Sequence, residues 1–297
     1  MTFMNKKKIT AILYAVLAAM FYAVNMPASK VLLNYIEPTM MASLLYLGAG
    51  IGIGILFLMK KKNISKTEYL TKTDLPYTLG MIILDIIAPV LLMFGLVHTT
   101  SANASLLNNF EIVATTIIAM IIFKEMISKR LWVAISFVTL SSFILSFEDM
   151  SSLQFSWGSL LVLLAAMCWG LENNCTKRIS SKNTYQIVML KGIFSGLGSM
   201  IIALVTGESI PMAKYWGIVL LLGFVAYGLS IFFYICAQNV LGAAKTSAFY
   251  AFAPFIGVFL SVSFLHEQIT MYYLIALVLM IIGTILIIVD TLRQNQE

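Results

Sequence analysis

Four ionisable side chains, Asp85, Glu111, Glu172 and Lys191, lie inside long apolar segments of the sequence. A charge at the centre of a bilayer costs roughly 2.5–3.5 kcal/mol even on lenient insertion scales, so such groups face a protein interior or a water-filled cavity. Asp85 and Glu111 are the closest to the middle of their segments. We predict that these two carboxylates line one central cavity, because a close pair of acidic groups suits proton coupling or the binding of a cationic group.

The same residues also have structural explanations. Asp85 or Glu111 is alternatively a partner for Lys191 or for backbone groups at a helix break. Glu172 lies nearer the end of its segment, on the side that we place in the cytoplasm. Lys191 lies close to the start of its segment, where a lysine either neutralises a carboxylate, binds a substrate carboxylate, or extends its amine to the membrane surface.

Glu111 belongs to a polar stripe in the segment from Ser101 to Glu125. On a helix, Ser101, Ser105, Asn108, Glu111 and Thr115 fall on one face, opposite apolar side chains. We predict that this face borders the cavity and that Asn108 contributes to substrate binding.

Aromatic and amide residues supply the other candidate contacts. Tyr227 and Tyr250, together with Tyr234, are candidates for a cation–π surface, and packing in the core or at the interface is the alternative. Asn25, Trp169 and Asn173 are predicted gate or cavity residues, with helix–helix hydrogen bonding as the alternative.

The composition requires a membrane protein. The chain of 297 residues is 60% hydrophobic and 11% charged, with a mean hydropathy of +0.94. Such apolar content indicates membrane spans of about 20 residues each. The predicted spans, ten in all, are Ile9–Leu33, Thr39–Met59, Leu75–Val97, Ser101–Phe123, Leu131–Phe147, Trp157–Ile179, Thr184–Val205, Tyr215–Gln238, Ala243–Leu265 and Tyr272–Val289.

The basic residues indicate the orientation of these spans. The cytoplasmic set is Lys6, Lys7, Lys8, Lys60, Lys61, Lys62, Lys66, Lys72, Lys124, Lys129, Arg130, Lys177, Arg178, Lys182, Lys245 and Arg293, and the opposite set is Lys30 and Lys214. This bias predicts a multi-pass protein of the cytoplasmic (inner) cell membrane with both termini in the cytoplasm. The net charge of +6 is therefore an orientation signal, and no nucleic-acid partner is expected.

The chain contains an internal repeat. Leu17-Ala-Ala-Met20 recurs as Leu164-Ala-Ala-Met167, and the segment from Phe123 to Ser128 matches the segment from Leu265 to Thr270. We therefore divide the chain into a first repeat, residues 1–149, and a second repeat, residues 155–292. Because each repeat has an odd number of spans, five, the two must have opposite orientations, an arrangement found in alternating-access transporters.

Glycines and prolines suggest how the spans pack. Matching spans of the two repeats carry closely spaced glycines, which predict close helix packing; they are Gly48, Gly50, Gly52 and Gly54, and Gly192, Gly196 and Gly198. Pro89 and Pro254 are predicted to kink their helices.

The two repeats resemble the EamA family, a branch of the drug/metabolite transporter superfamily. The resemblance rests on FKEMIS followed by LWVAISFVTL, on LHEQIT followed by YYLIALVLM, and on MFGLVHTTSANASLL. It implies an all-α fold of ten transmembrane helices in two inverted repeats around a central cavity, and the transport of small metabolites. The second repeat keeps the family's proline as Pro254, whereas the first repeat has Ile112 there, beside Glu111.

The predicted function is a secondary transporter that moves an amino-acid-like, amine or amphipathic organic compound by alternating access, with export as the family-level expectation and protons as a hypothetical coupling ion. The alternatives are a channel or sensor and, less favoured, an intramembrane enzyme. No enzyme motif, phosphate-binding loop, metal-ligand spacing or cofactor motif is present in the sequence, and the cysteines Cys168, Cys175 and Cys236 predict neither a disulfide framework nor a metal site. The sequence leaves open whether the chain forms a homodimer.

Overall fold

The computed structural model describes residues 6–60, 69–124, 128–149, 154–241, 246 and 250–294. Its helices are α1 (Lys6–Ala23), α2 (Asn25–Leu32), α3 (Pro38–Lys60), α4 (Leu75–His98), α5 (Ser101–Leu107), α6 (Phe110–Phe123), α7 (Lys129–Leu145), α8 (Trp157–Ile179), α9 (Thr184–Val205), α10 (Ala213–Gly223), α11 (Ser230–Leu241), α12 (Ala253–Leu265) and α13 (Met271–Gln294). A short 3₁₀ turn, Lys72–Asp74, precedes α4. Two short strands, β1 (Phe147–Asp149) and β2 (Gln154–Phe155), pair antiparallel between the repeats.

Within the described residues, seven helical segments are long and apolar enough to cross a bilayer, and α12 is a shorter apolar helix. The protein is therefore helical and multi-pass. The predicted sixth and seventh spans coincide with α8 and α9. The predicted fifth span extends too far, because its helix ends at Leu145 and Phe147 begins β1.

Four of the predicted spans are not continuous α-helices. The first span divides at Val24 into α1 and α2, and the fourth divides at Asn108 and Asn109 into α5 and α6. The eighth contains a π-helical segment, Phe224–Leu229, between α10 and α11. In the ninth, a turn precedes α12, whose second residue is Pro254.

The breaks have local causes. Asparagine is a poor helix former because its side chain competes for backbone hydrogen bonds, and two occur in succession at Asn108 and Asn109. Pro254 has no backbone N–H to donate and is tolerated in the first turn of α12. Pro89, in contrast, lies within the uninterrupted α4. Of the two prolines that were predicted to kink their helices, only Pro254 lies next to a helix break.

The helices pack in pairs that relate one repeat to the other. The most extensive contacts join α3 to α9, α4 to α8, α7 to α13 and α1 to α11. Two of these contacts, α3 with α9 and α7 with α13, join corresponding helices of the two repeats. The other two contacts are counterparts of each other, because α4 corresponds to α11 and α8 corresponds to α1. The third and fourth spans touch near their connection, but α8 packs against both α4 and α6. Asp85 on α4 and Glu111 on α6 are therefore connected through α8, against which both of their helices pack, rather than by direct packing of α4 on α6.

The contact between α3 and α9 depends on two glycines. A Cβ atom added to Gly192 would lie 2.3 Å from the backbone nitrogen of Gly50, and one added to Gly50 would lie 2.4 Å from the backbone nitrogen of Ile193. Backbone atoms cannot rotate away as side chains do, so a larger residue must push the helices apart. The predicted close packing of the glycine-rich spans is present here.

We expect Gly192→Leu to lower the thermal unfolding temperature strongly and to reduce the yield of folded protein. Overpacking typically costs about 1–3 kcal/mol, and here the clash is with backbone. Differential scanning fluorimetry of the purified variants would measure the effect. Gly217→Leu is the matched control, because nothing lies within 4 Å of a Cβ at Gly217; equal unfolding temperatures for the two variants would contradict the predicted contact.

One end of the bundle, which we call the Glu267 end, is held together by side chains bound to helix termini. The carboxylate of Glu267 accepts hydrogen bonds from the backbone nitrogens of Ser101 and Ala102, each at 2.8 Å, and from the Ser101 hydroxyl at 2.9 Å. The ammonium of Lys30 donates to the carbonyls of Leu96 (2.5 Å) and Thr99 (2.7 Å) at the end of α4. Acidic groups at helix N-termini and basic groups at C-termini are the favourable pairing with the helix dipole.

A second pair of contacts lies at the same end. Glu208 accepts hydrogen bonds from the backbone nitrogens of Thr39 (3.1 Å) and Met40 (2.7 Å) at the start of α3. Glu37 accepts hydrogen bonds from the backbone nitrogen and hydroxyl of Ser209, which hold the pKa of the Glu37 carboxyl below its usual value. Because the folded-state pKa is lowered, this contact stabilises the fold above the ordinary carboxyl pKa and is lost as the pH falls through the lowered value.

The fourth span, in the first repeat, and the ninth span, in the second repeat, end in the same backbone conformation. Lys124, after α6, and His266, after α12, both adopt left-handed backbone geometry, with φ of 55° and 52°. Non-glycine residues rarely adopt this conformation, which here ends the helices. The matched positions come from the repeated FKE and LHE sequences, so the sequence repeat is also a backbone repeat.

Candidate functional site

Three of the predicted ionisable residues form one buried cluster. The ammonium of Lys191 on α9 lies 3.0 Å from the Asp85 carboxylate on α4 and 3.0 Å from the Glu172 carboxylate on α8. Lys191 is only 7% exposed, Asp85 0% and Glu172 1%. Lys191 therefore does not extend to the membrane surface; its amine bridges two acidic groups inside the bundle.

Neutral donors complete the contacts of the two carboxylates. The hydroxyl of Tyr46 on α3 donates to Asp85 at 2.9 Å, and the indole nitrogen of Trp169 on α8 donates to the same oxygen at 3.3 Å. The hydroxyl of Thr176 donates to Glu172. Buried charges are tolerated when they are paired and hydrogen-bonded in this way.

Glu111 occupies a different position at the edge of this cluster. It stands in the first turn of α6, just after the helix break, and its side chain is partly exposed. The side-chain nitrogen of Asn173 on α8 donates to it at 2.6 Å and also approaches the Thr115 hydroxyl at 3.3 Å. Among the described residues, no ion pair joins Glu111 to a basic side chain.

Tyrosines form a continuous aromatic wall beside these groups. The ring centroids of Tyr46 and Tyr227 are 5.1 Å apart, those of Tyr227 and Tyr22 are 6.0 Å apart, and those of Tyr22 and Tyr250 are 5.6 Å apart. Tyr250 continues the wall to Tyr234 at 5.1 Å. Tyr227 lies in the π-helical segment of the eighth span, and such segments often occur at functional sites.

Two asparagines hold this wall. Asn25, at the start of α2, donates from its side-chain nitrogen to the Tyr227 hydroxyl at 3.0 Å and accepts from the Ser29 hydroxyl at 3.0 Å. Asn108, at the break between α5 and α6, donates to the Tyr22 hydroxyl at 3.2 Å. The helix breaks therefore place amide side chains against the aromatic rings.

A small cleft adjoins the Asn108 break. Its lining consists of Tyr22, Ala23, Met26, Ser105, Asn108, Ala253, Pro254 and Gly257. The side-chain oxygens of Asn108 and Ser105 are buried and make no protein hydrogen bond among the described residues. The cleft has a volume of about 10 Å³, close to the space that one water molecule occupies, so it is not itself a substrate-sized pocket.

The site has corresponding parts in the two repeats. An offset of 147 relates Asn25 to Glu172, and an offset of 142 relates Asp85 to Tyr227. The hydrogen-bonded pair Asn25–Tyr227 therefore corresponds to Glu172 and Asp85, which meet through Lys191. The first pair is neutral and the second is charged.

The structure brings most of the predicted site residues together. Lys191 contacts both Asp85 and Glu172, and Asn173 donates to Glu111. Asn25, Asn108, Tyr227 and Tyr250 belong to the adjoining aromatic wall and its hydrogen bonds. Trp169 donates a hydrogen bond to Asp85. The second-repeat counterpart of the polar stripe on the fourth span is predicted to be Ser247, Tyr250 and Pro254, of which Ser247 lies outside the described residues.

Sequence reasoning missed Tyr22, Tyr46 and the capping residue Glu267. Tyr22 had a usable signal, because the offset of 147 relates it to Trp169, which was predicted as a cavity residue. Tyr46 lies close to the first-repeat position that corresponds to Lys191, but nothing in the sequence distinguishes it from the other tyrosines, of which the chain has thirteen in all. Within the described residues, no group of three or more His, Cys, Asp or Glu side chains is placed to share a metal ion.

Comparisons with known proteins agree with this architecture. The EamA-like transporter family matches residues 9–147 and again residues 156–289. An uncharacterised transporter of Methanothermobacter thermautotrophicus is 24% identical over 91% of this chain and 83% of its own length. The uncharacterised transporter YyaM of Bacillus subtilis is 23% identical over 90% of both chains.

The chain shares its fold with a protein of known crystal structure. It superposes with a TM-score of 0.68 at 14% sequence identity, covering 97% of this chain and 98% of that one. The long apolar helices and the polar site buried between them define a multi-pass membrane protein. The chain belongs to the EamA-like transporter family and is a membrane transporter, as the match over both halves of its sequence shows.

Proposed function

We propose that the protein is a secondary carrier that exports a small organic metabolite across the cytoplasmic membrane by alternating access. In this proposal ten spans form two inverted repeats, residues 1–149 and 155–292, with both termini in the cytoplasm. The substrate is amine-bearing, amino-acid-like or amphipathic, and it binds beside Asp85, Glu111, Glu172 and Lys191. The observation that carries the proposal is the buried cluster of ionisable groups, which lies where helices of both repeats meet.

The pairing of corresponding helices supports the inverted repeats. The packing of α3 on α9 and of α7 on α13 joins equivalent elements, as a pseudo-two-fold axis requires. The broken spans supply the second support, because carriers of this kind commonly build their sites from interrupted helices near the middle of the membrane. Here breaks occur at Val24, at Asn108 and Asn109, and ahead of Pro254.

Side-chain exposure supports an inward-facing state. On α5, towards the Glu267 end, Ser105 is buried, as are Asn108 and Asn109 after it. Beyond the break, Glu111 and Thr115 are partly exposed, as are Asn173 and Thr176 on α8. These polar groups lie on the side of the bundle that carries Lys177, which the distribution of basic residues places in the cytoplasm. The capping contacts of Glu267 and Glu208 close the opposite end.

A channel or sensor is the competing proposal, and counterflow distinguishes it from a carrier. Purified protein would first be screened by thermal shift against amino acids, amines, nucleosides and drug-like cations, because a ligand of the folded state raises the unfolding temperature. Proteoliposomes loaded with the stabilising compound would then receive a trace of labelled compound outside. A carrier accelerates labelled uptake against the trapped substrate. Uptake that the trapped substrate does not accelerate would contradict the carrier proposal.

A further inference from the structure

The charges of the site do not balance. Asp85, Glu111 and Glu172 are three carboxyl groups, and Lys191 is the one basic side chain that contacts any of them among the described residues. If every carboxyl group were ionised, two negative charges would stay uncompensated inside the bundle. Burying an unpaired charge costs several kcal/mol, so the site must take up positive charge from elsewhere. Protons and a cationic ligand are the two sources.

Glu111 is the carboxylate that a ligand can reach. Asp85 and Glu172 are buried and already occupied by Lys191 and by neutral donors. Glu111 is partly exposed, and its described side-chain partner is the neutral amide of Asn173. A positively charged group would therefore pair with Glu111 rather than with Asp85 or Glu172, which are fully buried and already paired.

The surroundings of Glu111 suit an organic cation rather than a metal ion. Asn108, three residues before Glu111, donates to the Tyr22 hydroxyl, and the rings of Tyr22, Tyr227 and Tyr250 form the continuous wall described above. Aromatic faces attract cations, by about 0.5–2 kcal/mol for each favourable contact. A bare metal ion would require several oxygen ligands, whereas a wall of rings beside one carboxylate accommodates an alkylated or arylated ammonium group.

Resting on the proposed carrier function, we infer that the substrates are organic monocations that bind Glu111 and the tyrosine wall and displace a proton from the carboxyl cluster. In this exchange a protonated carboxyl group releases its proton to water as the ammonium group of the ligand takes over the charge pairing. No bond of the ligand forms or breaks. The total charge of the site is the same before and after, so a proton entering from outside can exchange for a cation leaving the cell.

The groups that share this proton are those that face the cluster. Asn173, the hydrogen-bond partner of Glu111, follows Glu172 on α8, and Lys191 bridges Glu172 to Asp85. Tyr46 donates to Asp85, and Cys175 lies three residues after Glu172 on α8. The exchange is assigned to the cluster as a unit because such closely spaced groups titrate together.

Phenyltrimethylammonium is a suitable probe because its charge is permanent and it carries no exchangeable proton. We expect it to raise the unfolding temperature of the purified full chain and to release on the order of one proton per bound cation into weakly buffered detergent solution. Its neutral isostere tert-butylbenzene should do neither. Glu111→Gln should abolish both effects, Glu111→Asp should retain them in weakened form, and Glu37→Gln, the same change at an exposed site, should leave them intact.

Other results would overturn the inference in distinguishable ways. Binding of phenyltrimethylammonium without proton release would overturn the exchange. Equal binding of the cation by Glu111→Gln and by the wild type would overturn the role of Glu111. The Glu111→Asp variant is the folding control, because it changes the same position and keeps a carboxylate there. If cations do not bind while an anionic compound shows counterflow, the cation inference fails and the carrier proposal stands. If no compound shows counterflow, the carrier proposal itself fails.

Discussion

Replacing Lys191 with methionine is expected to abolish transport and to destabilise the protein. The change removes the amine that lies 3.0 Å from both Asp85 and Glu172, and it leaves two buried carboxylates facing each other. Removing one partner of a buried ion pair typically costs about 3–5 kcal/mol, because an uncompensated charge is left behind. Thermal unfolding and proteoliposome uptake would measure the two effects. Lys214→Met is the matched control, since Lys214 is exposed and contacts the ring of Tyr215.

Second-site changes would separate charge from packing in this result. With Lys191→Met in place, Asp85→Asn and Glu172→Gln remove the uncompensated charges while keeping the side-chain volumes. The triple variant should therefore recover much of the lost stability without recovering transport. If Lys191→Met alone is as stable as the wild type, or if neutralising the carboxyl groups recovers nothing, the cluster does not owe its stability to charge pairing.

Replacing Glu267 with alanine is expected to open the Glu267 end of the bundle. The change removes three hydrogen bonds to the start of α5, two of them from backbone nitrogens. A hydrogen bond to a charged group is worth about 1.5–3 kcal/mol, so losing even one net contact shifts a two-state equilibrium by at least about tenfold. The population that opens at this end should rise accordingly.

Labelling of a cysteine in the cleft would measure that shift. Ser105→Cys serves as the reporter in a protein whose three native cysteines are replaced by serine, and a membrane-impermeant maleimide is added from the Glu267 side. Glu267→Ala should speed labelling, and Glu267→Gln, which keeps one acceptor oxygen, should give an intermediate rate. Unchanged labelling in Glu267→Ala would show that these contacts do not control access.

Hydropathy and charge were enough to predict the bounds of α8 and α9 and to select three ionisable residues that the structure brings together. The bounds of α8 and α9 follow from apolar runs that end at polar residues such as Ser180 and Thr206. Asp85, Glu172 and Lys191 could be selected because a charge in an apolar span must find a partner. Asp85 was one of two partners that the sequence suggested for Lys191, but the bridge from Lys191 to both Asp85 and Glu172 could not be predicted. It depends on α8 and α9 both packing against α4, which no local pattern specifies.

The helix breaks and the capping contacts show a different limit. Asn108 and Asn109 carry a visible signal, since successive asparagines weaken a helix, but the surrounding apolar run outweighed it. The π-helical segment at Tyr227 has no comparable sequence marker. Glu267 was visible only as part of a repeated motif, because its partner, the start of α5, lies 166 residues away in the chain.

The neutral pair Asn25–Tyr227 and its charged counterpart, Glu172 with Asp85, make the two repeats unequal. If the repeats exchange conformations during alternating access, the charged pair moves into the arrangement that the neutral pair had, and the neutral pair moves into the arrangement that the charged pair had. The inward-facing and outward-facing states then differ in free energy, and so do their populations in the unloaded protein. Apparent affinity scales with the population of the competent state. The half-saturating substrate concentration must therefore differ between the two faces of the membrane, even though the intrinsic contacts are the same.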